Sequence, residues 1–468
     1  MQHIILSFLL AVSLMVLTAL HADAEERRDR SRGFQGKSTV EIMVSKDKWH
    51  EAKVYQLEHV EGFKPNAVVV PLSDYGGRAD CTRKATGFFR TEQIDGKWWI
   101  IDPNGCPFIS VALNQTSYSR KFGPEDAWKR GMYQLLRTHG FNTASEDKTT
   151  GSGDRSMPYN VNLMLTFNYL MKYHEGSKFH WDVPPLWEPS FKAWLGQQVP
   201  ARITEAMRKD RWLIGYFVDN ERRWLDNALD LYHDYPKDSV TYRTVAQWAE
   251  QNGFKRGQDG FSAEARRKFQ GFQINYWARL SSEAVRAVDP NHLILGARFR
   301  RKDLYAPELL ASAGRYFDVI SANYYGSCPP DPVVLDSVAR WSGKPIMITE
   351  FFAQSYETRP TDMRDGWIVR TQEDRAKFYQ NYALACLQNR DCVGFHWFRY
   401  ADSESANMGV VDVNAKPYTT LLEAMKAINL SKYALADHLA GHPLDYTQVY
   451  DPLRNMPAYV EEEAATAK

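Results

Sequence analysis

The chain predicts an α/β fold, a (β/α)8 TIM barrel with a short N-terminal β-rich extension, and three observations predict it. Short apolar runs alternate with amphipathic helical stretches between residues 105 and 430, as repeated βα units require. Eight of these runs are strand candidates: 108–113, the neighbourhood of Thr143, 162–165, 213–218, 292–297, 319–323, 346–349 and 393–397. Two of them stop at a glutamate: Trp212-Leu-Ile-Gly-Tyr-Phe-Val-Asp-Asn-Glu221 and Pro345-Ile-Met-Ile-Thr-Glu350.

Before the barrel, residues 25–48 are charged and lack periodicity, and Ala67-Val-Val-Val-Pro-Leu72 has strand composition. The clearest local signal is Phe88-Phe-Arg-Thr-Glu-Gln-Ile followed by Asp95-Gly96 and Lys97-Trp-Trp-Ile-Ile, a hairpin with a two-residue turn suited to type I′ geometry. Inside the barrel, helical patterns occupy 124–138, 191–209, 263–288 and 372–388, and Pro124-Glu-Asp suits a helix start. The stretch 224–262 reads as an insertion directly after Glu221, expected to wall an active site. The division implied is 1–24 leader, 25–104 extension and hairpin, 105–430 barrel and 431–468 tail.

Composition bounds the class. Of 468 residues, 44% are hydrophobic and 25% charged, which excludes wholesale disorder, and a net charge of +1 gives no reason to expect nucleic acid or an acidic membrane as partner. The apolar run 4–20 and the Ala22-Asp-Ala24 processing site read as a secretory signal peptide, so a secreted or periplasmic protein is expected, with a membrane anchor as the competing reading. Five cysteines, Cys81, Cys106, Cys328, Cys386 and Cys392, allow one or two disulfides, with Cys386 and Cys392 the most local pair. No clustered His or Cys pattern points to a metal, and no cofactor motif is present.

Strand ends of a barrel converge on one face, so Glu221 and Glu350 are expected to face each other there. A carboxylic acid and a carboxylate across a pocket are what hydrolysis of a glycosidic bond needs. The alternative for either glutamate is a structural ion pair with an arginine, and Arg222 and Arg223 are adjacent to the first. Around them, Trp397 is a candidate to stack on a sugar ring, and Tyr324 or Tyr325 to hydrogen-bond the nucleophile. Asn114 and Asn220 are candidate polar contacts; for Asn114, Trp397 and the tyrosines a core role is the alternative. Alternation along the last strand turns His396 away from Trp397, making it a packed histidine. Ser152 lies in a loop without a nucleophile elbow.

The strand-four and strand-seven motifs with Trp397 look like those of clan A retaining glycoside hydrolases. Three stretches resemble, more narrowly, glycoside hydrolase family 50, the β-agarases: Gly87-Phe-Phe-Arg-Thr-Glu-Gln-Ile-Asp-Gly-Lys-Trp-Trp-Ile-Ile-Asp102, Gly215-Tyr-Phe-Val-Asp-Asn-Glu221 and Phe317-Asp-Val-Ile-Ser-Ala-Asn-Tyr-Tyr325. The resemblance implies Glu221 as general acid/base, Asn220 on the hydroxyl next to the anomeric carbon, Glu350 as nucleophile, and agarose or its oligosaccharides as substrate. Those agarases carry a longer N-terminal β-rich module than the 25–104 segment here. A different galactan (porphyran or carrageenan), another β-glycan such as a β-galactoside or mannan, and a non-catalytic polysaccharide-binding barrel remain alternatives.

Overall fold

The computed structural model of the chain describes residues 38–45, 48–65, 68–116, 118, 122–145, 157–173, 182–358, 366–446 and 449. The expected leader over 1–24, Ser152 and the end of the tail lie outside the described residues.

Chain order gives β1 (Ser38–Ser45), β2 (Lys48–Val54), β3 (Arg90–Ile94), β4 (Lys97–Ile101), β5 (Pro107–Phe108), β6 (Ser110–Leu113), β7 (Thr143–Ala144) and β8 (Tyr159–Asn162). There follow β9 (Leu213–Phe217), β10 (Leu293–Ile294), β11 (Phe299–Arg300), β12 (Ile320–Asn323), β13 (Ile346–Phe351), β14 (Ala353–Ser355), β15 (Trp367–Val369) and β16 (Cys392–Trp397). Nine of these form one sheet in the order β10-β9-β8-β7-β6-β16-β13-β12-β11, every neighbour pair parallel. Strands such as Leu213–Phe217 and Cys392–Trp397 are buried at every position, as expected where helices cover one face and the opposite strands the other.

The expected strand over 292–297 is in fact broken. Gly296 adopts φ 82 and Arg298 φ 50, so the chain leaves the ladder after Ile294 and rejoins it at Phe299. A side chain at Gly296 would meet the Val319 carbonyl at 2.9 Å, and glycine allows that close approach. The two pieces occupy the two ends of the nine-strand order, and Asp318 N, just before β12, donates to Ile294 O of β10 at 2.9 Å. Another expectation moves: the strand placed over 162–165 ends at Asn162, and Leu165 already opens a helix that runs to Tyr173.

The Asp95-Gly96 hairpin forms as β3 and β4, with φ 50 and φ 74 at its two turn residues. Its Ile100, with Phe89 and Phe108, packs against Ile214, Leu293, Leu295, Val319, Met347 and Val393 from five strand segments, filling the sheet interior near the strand starts. The strand composition at 67–72 does not become a strand: Val68 and Val69 are exposed, and 66–67 lie outside the described residues. Instead β1 and β2 join β14 and β15 in a four-stranded sheet, with Ile42 opposite Val369. That sheet rests on the helix Gln372–Gln388, where Tyr55 N donates to Asn381 Oδ1 at 2.9 Å. The last helix, Thr419–Gly441, runs across residue 430 and packs beside Gln372–Gln388. No helix of the described residues is long and apolar enough to cross a membrane. All five cysteines are free thiols, with Cys386 and Cys392 buried and in contact, and burial pushes the Cys386 thiol well up.

Candidate active site

Beyond the buried strand β9 the chain passes through Val218 and Asp219, and the Asp219 carboxylate accepts from the backbone of Thr166 at 2.8 Å and Phe167 at 3.3 Å. Anchored there, the chain turns through Asn220 into Glu221, whose φ is 47. A non-glycine residue in the left-handed region costs on the order of 1 kcal/mol, and Gln115, past β6, and Arg298, between β10 and β11, share that conformation. Glu221 N donates to Arg298 O at 3.2 Å, tying two of these turns together.

Glu350 stands near the end of β13 and is only 7% exposed. Its carboxylate accepts from the fully buried Arg298 guanidinium and from the Tyr325 hydroxyl. Arg298 also lies 5.2 Å over the Phe217 ring. Burial, reinforced by the Glu350 charge, pushes the Tyr325 phenol well above its ordinary range, so it stays a donor.

Asn323 ends β12 between the two glutamates. Its Nδ2 donates to Glu221 Oε1 at 2.9 Å, and its Oδ1 accepts from Thr349 Oγ1 at 2.8 Å. One carboxylate is therefore matched by a buried cation and a phenol, the other by a neutral amide. None of the ion pairs among the described residues involves Glu221. The expected influence of its neighbours is not seen: Arg222 is buried near Asp219, and Arg223 lies 3.5 Å from Asp182. A cavity of about 870 Å³ opens onto Glu221, Asn323 and Tyr325, with β1 and β15 contributing Val44 and Trp367. None of its lining residues falls within 224–262, so the insertion is not the wall it was expected to be.

The other candidates divide. Tyr325 reaches Glu350, whereas Tyr324 is fully buried, its hydroxyl accepting from Asp331 N at 3.3 Å beneath Arg301. Asn114 is also fully buried; its Nδ2 donates to Thr349 O, bracing the residue before Glu350 from β6. Asn220 is half-buried, and its Oδ1 is a buried acceptor without a protein donor among the described residues. Trp397 is 1% exposed, donates to Met408 O at 2.8 Å and packs edge-on against Phe351 at 5.4 Å. It supports the site from behind and does not line the cavity. Alternation explains this: His396 takes the inward direction, 2.9 Å from Ser110 Oγ, so Trp397 must face the helices.

Arg298 and Asn323 are neither strand-end carboxylates nor aromatics, and the sequence marks neither as a site residue. Asn323 lay inside the quoted Phe317–Tyr325 stretch, and Arg298 one residue past the expected end of strand five.

No protein-family model matches the chain. It is 25% identical to β-agarase B of Vibrio sp. (strain JT0107) over 78% of this chain and 50% of that protein. With β-agarase A of the same organism the identity is 24%, over 77% of this chain and 48% of that protein. The solved structure of BpGH50 matches with a TM-score of 0.79 at 25% identity, covering 86% of this chain and 96% of that one. The chain is similar to β-agarases. It spans about half the length of the two Vibrio agarases it matches. The agarase AgWH50C shares the fold, with a TM-score of 0.65 at 20% identity over 78% of this chain and 66% of that one.

Proposed function

We propose that the chain is a retaining β-glycosidase acting on a galactan of the agarose type, with Glu350 as nucleophile and Glu221 as general acid/base. The observation that carries this reading is the unequal matching of two carboxyls at strand ends of one sheet. Glu350 is paired with a buried guanidinium and a phenol, and Glu221 is held by the Asn323 amide at the cavity. A carboxylate paired with a buried cation is suited to attack as an anion.

In the first step Glu350 attacks the anomeric carbon, the bond to the leaving oxygen breaks, and Glu221 gives that oxygen its proton. Water then attacks the same carbon, Glu221 takes the water proton, and the Glu350 ester is released as carboxylate. The orphan Asn220 Oδ1 beside Glu221 suits a sugar hydroxyl donor. Tyr325 and Arg298 hold the nucleophile; Asn114 and Trp397 steady the strands that carry it.

We infer further that the parallel sheet is an eight-position barrel whose fifth strand is split into β10 and β11, since these pieces of one segment take the two ends of the strand order. The apolar run at 4–20 supports export to the periplasm or beyond.

The test is the anomer released first from agaro-oligosaccharides, followed by magnetic resonance. Retention is expected in the wild type, with loss of at least about 10³-fold in kcat for Glu350→Gln. An inverted first product, or near-normal turnover in that variant, overturns the reading.

A further inference from the structure

The wall of the cavity beside Glu221 is cationic. Arg223, Arg300, Arg301 and Lys302 line it, against the single carboxylate of Glu221, although the whole chain carries 58 basic and 57 acidic residues. The excess is therefore local to the cavity. Three of the four follow one another from the last residue of β11 onward, in Arg298-Phe-Arg-Arg-Lys-Asp303.

Their partners separate structural from available charge. The buried Arg301 guanidinium donates to Tyr325 O at 3.0 Å and Tyr305 OH at 3.2 Å, so it builds the wall. Arg300 is half-buried and Lys302 exposed, and neither side chain is in an ion pair among the described residues. Arg223 is 56% exposed, with only a 3.5 Å approach to Asp182. The nearest carboxyl on the same turn, Asp303, is fully buried and raised by that burial to about 7, so it offsets little of this charge below neutrality.

A neutral sugar ring gives these cations nothing to pair with. The half-buried Arg300 guanidinium and the exposed Lys302 ammonium, in no ion pair among the described residues, match the oxygens of an anionic ring substituent. We propose that the cavity takes a galactan unit bearing an anionic substituent, a sulfate ester or a carboxylate, met by Arg300 and Lys302 with Arg223 at the rim. The proposal rests on the glycosidase reading above and names the substrate class of that same site.

The experiment compares kcat/KM of the full chain on a sulfated galactan oligosaccharide, on the same oligosaccharide after chemical desulfation, and on a carboxylated one. The anionic chains are expected to be preferred by about tenfold or more, the return of one charge-assisted contact. The preference should shrink at about 0.5 M salt, where exposed charges are screened. Arg300→Gln with Lys302→Gln should bring the ratio close to one, while Arg300→Lys keeps most of it; the ratio, and not the absolute rate, is the readout. Whichever anionic chain has the higher ratio identifies the substituent, and equal ratios support the shared chemistry. A wild-type ratio of one or less, or a ratio that the double variant leaves unchanged, overturns the proposal. If no oligosaccharide is cut, the glycosidase reading fails separately. Calorimetric binding of the same set then decides: charge-dependent preference upholds the anionic site, and equal or absent binding removes it.

Discussion

Asn323 donates to Glu221 Oε1 at 2.9 Å and, through its other amide atom, accepts at 2.8 Å from the threonine that precedes Glu350. One neutral side chain on β12 thus links Glu221, beyond β9, to the residue before Glu350 on the adjacent β13, whose register sets Asn323 opposite Glu350. Asn323→Ala removes both contacts. A hydrogen bond is worth about 0.5–1.5 kcal/mol net and two are lost, so kcat should fall roughly fivefold to a hundredfold, with KM nearly unchanged. Steady-state kinetics on agaro-oligosaccharides checks this, and a kcat within twofold of wild type removes Asn323 from the site.

Tyr325→Phe deletes the hydroxyl that donates to Glu350 and leaves the ring that packs 5.3 Å from Phe352. Loss of about tenfold or more in kcat is expected, with thermal stability close to wild type. Because the phenol is held well above its ordinary range, it does not titrate near neutrality. The alkaline limb of the rate profile should therefore keep its midpoint in the variant. Its disappearance would show that Tyr325 itself loses a proton there.

Much of this arrangement was legible in the residues because strand ends carry their own signal. Apolar runs that stop at Glu221 and Glu350 are visible without neighbours, and the Asp95-Gly96 turn declares its hairpin by backbone chemistry alone. What was hidden depends on which way a side chain points. Tyr324 and Tyr325 are adjacent and identical in composition, yet one is sealed under Arg301 and the other reaches Glu350. Arg298 was invisible for another reason: the break at Gly296 and its own φ of 50 turn it inward just past a run that reads as an unbroken strand. The wall formed by β1 and β15 is a pairing between residues about 330 positions apart, and no local pattern specifies it.

Gly215 tests the split strand. A Cβ there would sit 2.1 Å from the Leu293 carbonyl oxygen, its partner in the β9–β10 ladder, and that backbone has no rotamer with which to yield. Gly215→Ala should cost about 1–3 kcal/mol or more and lower kcat, because β9 leads to Glu221. Gly131 and Gly196 lie on helices with nothing within 4 Å of an added Cβ. Alanine there should stabilise by about 0.5–1 kcal/mol. Thermal melts of the three variants check the contrast, and equal shifts would mean that the close approach at Gly215 is absent.

His396 lends the fold a sensitivity to acid. It is buried 2.9 Å from Ser110 Oγ, and burial, with Arg298 nearby, lowers its pKa from an ordinary 6.5 to about 3. Between those values the unfolded chain binds a proton that the native state refuses. Stability therefore falls as pH drops below 6.5, by about 2 kcal/mol at pH 5 from this group alone. Asp303 acts in the opposite sense. Burial raises it from 3.8 to about 7, so the native state holds the extra proton, and that contribution is lost as pH rises through 7. The wild-type profile is the balance of such groups, so the variants carry the information. In His396→Gln, which keeps a polar partner for Ser110, the melting temperature relative to wild type should climb steadily from pH 7 to pH 5. In Asp303→Asn the relative gain should grow from pH 5 to pH 8. A difference that stays constant with pH in the first variant would mean that the histidine accepts its proton without unfolding.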